Sequence, residues 1–210
     1  MAQFFSIHIT TPHLRLIRQA ATIVRNGGVI VYPTDSCYAL GCHLGDKTAM
    51  SRIRAVRQLD DQHHFTLVCR NLAEISTYAR VDNSQYRLLK ATTPGGYTFI
   101  LQATREVPRR LQHPKRNTIG LRIPDHPVVL ALLEELDEPL LSSTLKLPGD
   151  ELPLTDAEEI RRRLEHQVDL VMDGGPCGIE MTTVIDLTDD VPQLIRQGKG
   201  SLEPFGINYG

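Results

Sequence analysis

The run Pro33-Thr34-Asp35-Ser36-Cys37-Tyr38-Ala39-Leu40-Gly41 sets three hydroxyl side chains close together, directly after the apolar stretch Val29-Ile30-Val31-Tyr32. A short continuous apolar run of this kind reads as a strand buried on both faces. In open α/β sheets, ligands bind in the crevice beyond the carboxyl ends of strands. The hydroxyls of Thr34, Ser36 and Tyr38 could therefore hold a small polar substrate there. The same residues also read as a Pro-initiated turn capped by Asp35, and residue chemistry alone leaves the two readings open.

Cys37, Cys42, His43, His63, His64 and Cys69 offer thiols and imidazoles, but their spacing matches no established zinc pattern. They read instead as thiols packed beside strands and solvated histidines. Neither G-x-x-x-x-G-K-[ST] nor G-x-G-x-x-G occurs, so any nucleotide is bound without a P-loop or dinucleotide fingerprint. H-E-x-x-H and G-x-S-x-G are absent too, which removes the standard zincin and hydrolase chemistries. Arg105, Arg109, Arg110, Lys115 and Arg116 crowd around His113 in a segment that reads as loop and edge structure. Such a cluster can neutralise RNA phosphates, or serve as an ordinary solvated basic loop. Arg161-Arg162-Arg163 lie at helical distances from Glu158, Glu159 and Glu165, as on a charged helix surface.

These groups need a scaffold, and the periodicities supply one. Thr11-Pro12 reads as an N-cap and first helical position, followed by Leu14, Ile17, Ala21 and Val24 at helical spacing until Gly27-Gly28. A second helix starts near Asp46, with Ala49, Met50, Ile53 and Val56 inward, and stops before Leu59-Asp60-Asp61. Further helices are expected over 72–78, 84–90, 126–136 and 157–166. Strands are expected over 65–69, 97–101, 140–143, 168–172, 183–187 and 193–196, the last two forming a hairpin. Alternating helices and strands imply an α/β layer structure with a mixed sheet. With 210 residues, 41% hydrophobic and 23% charged, and no repeat or linker, a single domain over 1–210 is expected. The longest apolar run, Val128 to Leu133, is too short to span a membrane, and the start MAQFFSIHITT has no leader pattern; a cytoplasmic protein without membrane contact follows as the expectation. A net charge of -2 excludes a bulk-electrostatic nucleic-acid binder, so any such role needs a local patch.

The segment PTDSCYALG resembles the PTET-x-YGLG stretch of the YrdC/YciO family, whose typical members are threonylcarbamoyl-AMP synthases. TTPGGYTFIL is similar to the family's PGP-x-T strand, GLRIPDHP to G-x-R-x-P-x-H-P, TTVIDLT to S-T-V-x-D, and LIRQG to the closing R-x-G. The likeness runs in order from about Ile23 to Gly198. Gln58-Leu59 with His63-His64-Phe65-Thr66 resembles the YciO branch most. This resemblance implies a twisted mixed sheet with helices on its faces and a large concave basic cavity, the YrdC-like fold. It also implies condensation of L-threonine, bicarbonate and ATP, with Mg²⁺ accompanying the ATP and no protein-bound metal. The product feeds threonylcarbamoyladenosine formation on tRNA.

Carried over by motif, the resemblance assigns Thr34, Arg122 and Thr182, with Ser36 and Tyr38 beside them, to the amino acid, since a guanidinium can clamp an α-carboxylate. Arg57, Thr144, Lys146 and Arg196 fall at the nucleotide, with Arg57 and Lys146 as the catalytic cations. Two departures stand out. Leu59 replaces the second cation of the family's K-x-R, and His63, falling on a later lysine, is an imidazole that is mostly neutral at pH 7. The family's T-S-x-N becomes Ser143-Thr144-Leu145-Lys146, so Lys146 is expected to restore the lost charge if its stem reaches the cavity. Arg109, Arg110, Lys115 and Arg116 are the candidate RNA contacts, on a concave surface suited to double-stranded RNA. The rival expectation is a non-catalytic binder of double-stranded RNA or tRNA with the same fold.

Overall fold

The computed structural model of the chain describes residues 1–60 and 63–207. The second helix, expected to stop before Leu59-Asp60-Asp61, does so; Asp61 itself lies outside the described residues. Among the described residues ten strands form one sheet: β1 (Gln3–Ser6), β2 (Ile30–Tyr32), β3 (Ala39–His43), β4 (Thr66–Val68), β5 (Tyr97–Gln102), β6 (Thr118–Arg122), β7 (Leu140–Thr144), β8 (Leu170–Asp173), β9 (Thr183–Asp186) and β10 (Gln193–Arg196). Their order across the sheet is β1-β8-β2-β3-β7-β4-β6-β5-β9-β10. The β1/β8, β2/β8, β4/β6 and β5/β9 pairs are parallel and the others antiparallel, so the sheet is mixed, as expected.

Among the described residues six α-helices connect the strands: α1 (Leu14–Arg25), α2 (Lys47–Arg57), α3 (Leu72–Tyr78), α4 (Asn83–Thr92), α5 (Pro127–Leu136) and α6 (Ala157–Leu164). Strand alternation divides β2 between two cores. Ile30 and Tyr32 pack with α1 (Ile17, Ala20, Ala21, Val24) and α5 (Val128, Val129, Leu132, Leu133, Leu136). Val29 and Val31 belong to the opposite core, with α2 (Ala49, Ile53, Val56) and α6 (Ile160, Leu164). The capping carboxylate of Asp46 accepts from Ala49 N–H at 2.8 Å, and Gln58 ends α2 in the left-handed region at φ 52°.

The first helix starts later than its sequence suggests. Thr11 Oγ1 and its N–H both meet His8 Nδ1, at 3.1 and 3.3 Å, so Thr11 closes a preceding turn instead of capping the helix. Leu14, expected inward, is 61% exposed. Three strands, β1, β3 and β6, were not among the expected elements. Among the described residues no helix is long and apolar enough to cross a membrane.

Candidate functional site

On the sheet face that carries α1 and α5, in-register pairing places Ser142 of β7 opposite Thr66 of β4, Thr66 opposite Gly120 of β6, and Gly120 opposite Ile100 of β5. Directly paired residues point to the same face. This row is small and polar except for Ile100, and together with Thr98, Thr118, Thr144 and Val184 it floors a cleft of about 1170 Å³, measured to include its open mouth. The β7 end of the same face, at Leu140, packs under α1 and α5. The cleft is therefore the uncovered half of a sheet face whose other half is core. Gly120 has little room for a larger residue: an added Cβ would stand 3.4 Å from both Thr66 Oγ1 and Thr98 Cγ2.

Arg57, Arg116, Arg122 and Arg196 line the cleft with His63, His64 and His113, and no Asp or Glu appears among its described lining residues. At one end, Arg122, 8% exposed, pairs with Asp35 and donates from Nη1 to Ser36 Oγ at 3.2 Å. Its buried Nε finds no hydrogen-bond partner among the described residues. Nearby, Arg196 donates to the Thr182 carbonyl at 3.2 and 3.0 Å and approaches Thr182 Oγ1 at 3.3 Å, while Thr182 Oγ1 lies 2.9 Å from Thr98 Oγ1.

At the other end, Arg57 leaves the last turn of α2, donating from Nη1 to Ser143 Oγ at 2.5 Å and from Nε to the Lys146 carbonyl at 3.2 Å. His63 Nε2 lies 3.3 Å from the same Ser143 Oγ. Burial, and after it the charges of Arg57 and Arg54, push His63 down to about 4. Its imidazole is thus neutral at pH 7 and adds no charge to the cleft. His64 is also lowered, by burial first and then by His113, whose ring lies 4.9 Å away.

Of the residues singled out in the sequence, Ser36, Arg57, Arg116, Arg122, Thr144, Thr182 and Arg196 line the cleft. Three of the candidate ligand residues, Thr34, Tyr38 and Lys146, do not. Thr34 is buried and spends its proton on the Cys37 carbonyl at 2.6 Å. Tyr38 points to the opposite core and donates to the Gly175 carbonyl at 2.5 Å. Lys146 meets Arg57 through its backbone carbonyl, and its side chain is not part of the wall. The basic segment also divides. Arg110 donates to the carbonyls of Leu44 and Gly45, and Arg116 binds Asp186 and Thr188 at 2.7 Å each, while Arg109 and Lys115 are exposed. Burial pushes the Asp186 carboxyl up, but hydrogen bonds from Thr188 and Arg116 outweigh it and hold the group below its ordinary value. The sequence reading missed Thr66, Thr98, Ser142 and Ser143 as lining residues. Thr66 and Thr98 carried a signal, as polar side chains alternating with core residues in β4 and β5, whereas Ser142 and Ser143 are successive residues of β7 and show no such period.

A half-covered mixed sheet, a Pro-Thr loop after β2 and this arginine-lined cleft agree with one protein family. A model of the Sua5/YciO/YrdC family, described as "Telomere recombination", matches residues 22–198, and the chain belongs to that family. Within it, the chain is 60% identical to the Escherichia coli K12 protein YciO over 205 residues, 98% of this chain and 100% of that one. The crystal structure of E. coli YciO superposes with a TM-score of 0.94 over the same shares. A Vibrio cholerae threonylcarbamoyl-AMP synthase is 28% identical over 185 residues, 87% of this chain and 97% of that one. The crystal structure of Pyrococcus abyssi Sua5 complexed with L-threonine matches at 25% identity with a TM-score of 0.85, over 93% of this chain and 57% of that chain.

Proposed function

We propose that the cleft binds L-threonine at its Arg122 end and ATP along the rest, and joins them through bicarbonate into threonylcarbamoyl-AMP. The observation that carries this reading is a wall with four guanidiniums and no carboxylate among its described residues, in which buried Arg122 keeps Nε unpaired beside Ser36. An open donor on a buried cation is costly unless a ligand completes it, and a carboxylate does so with charge-assisted bonds. The L-threonine complex of P. abyssi Sua5 and the V. cholerae synthase support the choice of ligand and reaction.

In this reaction the threonine amine attacks the carbon of bicarbonate, and water leaves to give a carbamate. A carbamate oxygen then attacks the α-phosphorus of ATP; the new P–O bond forms as the bond to the bridging oxygen breaks and pyrophosphate departs. Orientation and charge stabilisation dominate such a step, and no side chain need act as nucleophile. Arg57 and Arg196 supply the protein's cations. Mg²⁺ enters as the ion carried by the phosphates of ATP. Leu59 leaves the polyphosphate one cation short of the family pattern, and Lys146 stands off the wall, so the reaction is slow in this reading. The test is calorimetry with L-threonine and with ATP–Mg²⁺, together with pyrophosphate release when bicarbonate is added. Absence of threonine binding and of pyrophosphate release together would overturn the proposal.

A second reading rests on Arg109 and Lys115, exposed on the loop that also brings Leu111, His113 and Arg116 to the cleft. In this reading they meet the phosphates of a structured RNA such as tRNA at the cleft rim, with or without catalysis inside.

A further inference from the structure

At the Arg57 end of the cleft, the hydroxyl of Ser143 on β7 is shared by two side chains from elsewhere in the chain. Arg57 Nη1 donates to Ser143 Oγ at 2.5 Å from the end of α2, and His63 Nε2 stands 3.3 Å from the same oxygen, on the segment before β4. All three residues line the cleft. The contact has two proton states. While Nε2 carries no proton, only the Ser143 hydroxyl can bridge it, and that hydroxyl donates to His63. When the ring is protonated on both nitrogens, Nε2 donates instead; Arg57 and His63 then fill both lone pairs of Ser143, and its proton is free for a ligand in the cleft. The surrounding charges choose between the states. Burial acts most strongly against the imidazolium, followed by Arg57 and Arg54 of α2 and the neighbouring His64, while Asp60 favours it; together they hold His63 down at about 4. Phe65 meets the ring edge-on at 5.6 Å, and His113 lies against His64 at 4.9 Å.

We infer that His63 is a conditional cation, neutral in the free protein and protonated when a polyanion settles at Arg57, so that the ligand itself brings about a second positive charge beside that guanidinium. The inference rests on the nucleotide half of the reading above, in which the polyphosphate is that anion. A phosphate paired with Arg57 acts on the ring twice: it offsets the guanidinium that disfavours the imidazolium, and it attracts the imidazolium directly. One unit charge about 4 Å away, at an effective dielectric of about 20, favours the protonated ring by about 10³-fold. That brings a group titrating at about 4 close to neutrality. The coupling is reciprocal, so the protonated ring tightens the anion as much as the anion tightens the proton. The Ser143 hydroxyl, released from His63, adds a donor next to Arg57. The extra charge is therefore present while polyphosphate or pyrophosphate is held and is lost when it leaves.

Methanedisulfonate is a suitable probe, because both of its sulfonates stay ionised at every pH used and only the protein titrates. Calorimetry on the wild-type chain is expected to show its affinity rising about 10- to 100-fold from about pH 8 to about pH 5, with a binding heat that depends on the ionisation enthalpy of the buffer, the mark of proton uptake. His63→Gln should remove most of this rise, leaving the part that belongs to His64 and His113. In ring ¹⁵N NMR of the wild-type chain, the His63 imidazole, recognised by its contact with Phe65, should titrate at a higher pH with the probe bound than without it. An affinity that changes by less than about threefold, a rise that survives intact in His63→Gln, or a ring titration that the probe does not move would overturn the inference. Should His63→Gln fail to fold, the NMR titration decides the matter. Methanedisulfonate that binds at neither pH while ATP–Mg²⁺ binds also overturns it. Failure of ATP–Mg²⁺ to bind overturns the nucleotide reading itself, an outcome distinct from anion binding without proton uptake.

Discussion

Removing Arg122 should cost the protein stability as well as ligand affinity, and the structure lets the two losses be separated. The side chains of Arg122 and Asp35 are 9% and 10% exposed. Deleting one member of so buried a pair strands the other charge, at about 3–5 kcal/mol, whereas removing both charges is close to neutral. Lys199 sits against the Asp35 carbonyl and softens the stranded carboxylate, so about 3 kcal/mol is expected for Arg122→Met. For a chain of 210 residues this lowers the melting temperature by roughly 6–12 °C. The double variant Arg122→Met with Asp35→Asn should recover about 2 kcal/mol of the loss, a coupling within the range of contacting pairs. It should still fail to bind threonine, because the carboxylate clamp is gone. Urea denaturation of the four proteins gives the cycle, and calorimetry gives the affinities. An Arg122→Met variant within about 1 kcal/mol of wild type, or a double variant no more stable than the single, would refute the account of this pair as a buried, mutually dependent unit.

His63 stays neutral in the folded protein down to about pH 4, while the unfolded chain takes up that proton near 6.5. Folding stability should therefore fall as the pH drops from about 6.5 towards 4, and His63→Gln, which can still bond Ser143, should flatten that slope; equal slopes in urea melts would sink the assignment. Lys146→Ala should leave the rate of pyrophosphate release unchanged because only its backbone reaches Arg57, whereas Leu59→Arg should raise threonine- and bicarbonate-dependent pyrophosphate release by roughly 10- to 100-fold. A slower Lys146→Ala enzyme would show that the ammonium reaches the phosphates after all. In titrations with duplex RNA, replacing Arg109 and Lys115 should lower the slope of log affinity against log salt by about 1.4–1.8; an unaltered slope would leave them as ordinary solvated charges.

The elements that proved legible are those whose burial repeats with a clear period. The α2 helix shows this: Asp46, Ala49, Ile53 and Val56 all behave as expected, because a capping carboxylate and an apolar stripe are local signals. Likewise α3 and β10 fall on their expected bounds. Strand β6 was missed for a reason that bears on the cleft. In β6, Ile119 and Leu121 are buried in the core shared with α2, while Thr118, Gly120 and Arg122 alternate with them and line the cleft. A strand whose second face meets a ligand cleft instead of core carries Thr, Gly and Arg where an apolar residue would announce it. Local rules are expected to break at such places.

Motif likeness leads to segments of backbone that border the cleft, but not every side chain it names faces the cleft. Arg122, Thr182, Arg57 and Arg196 line the cleft, whereas Thr34, Tyr38 and Lys146, taken from equally good matches, do not. A motif fixes where the chain passes, and the direction of a side chain is then set by alternation and by which partner takes its proton. Tyr38 precedes Ala39 of β3, so when Ala39 faces the cleft Tyr38 turns to the other core. Thr34 is turned inward by the Cys37 carbonyl, and Lys146 follows Leu145, whose burial anchors the chain just past the end of β7. Hydroxyls close in sequence thus divide the labour. Ser36 meets the cleft while Thr34 is buried against the Cys37 carbonyl, a difference of surroundings that the one-letter sequence does not display.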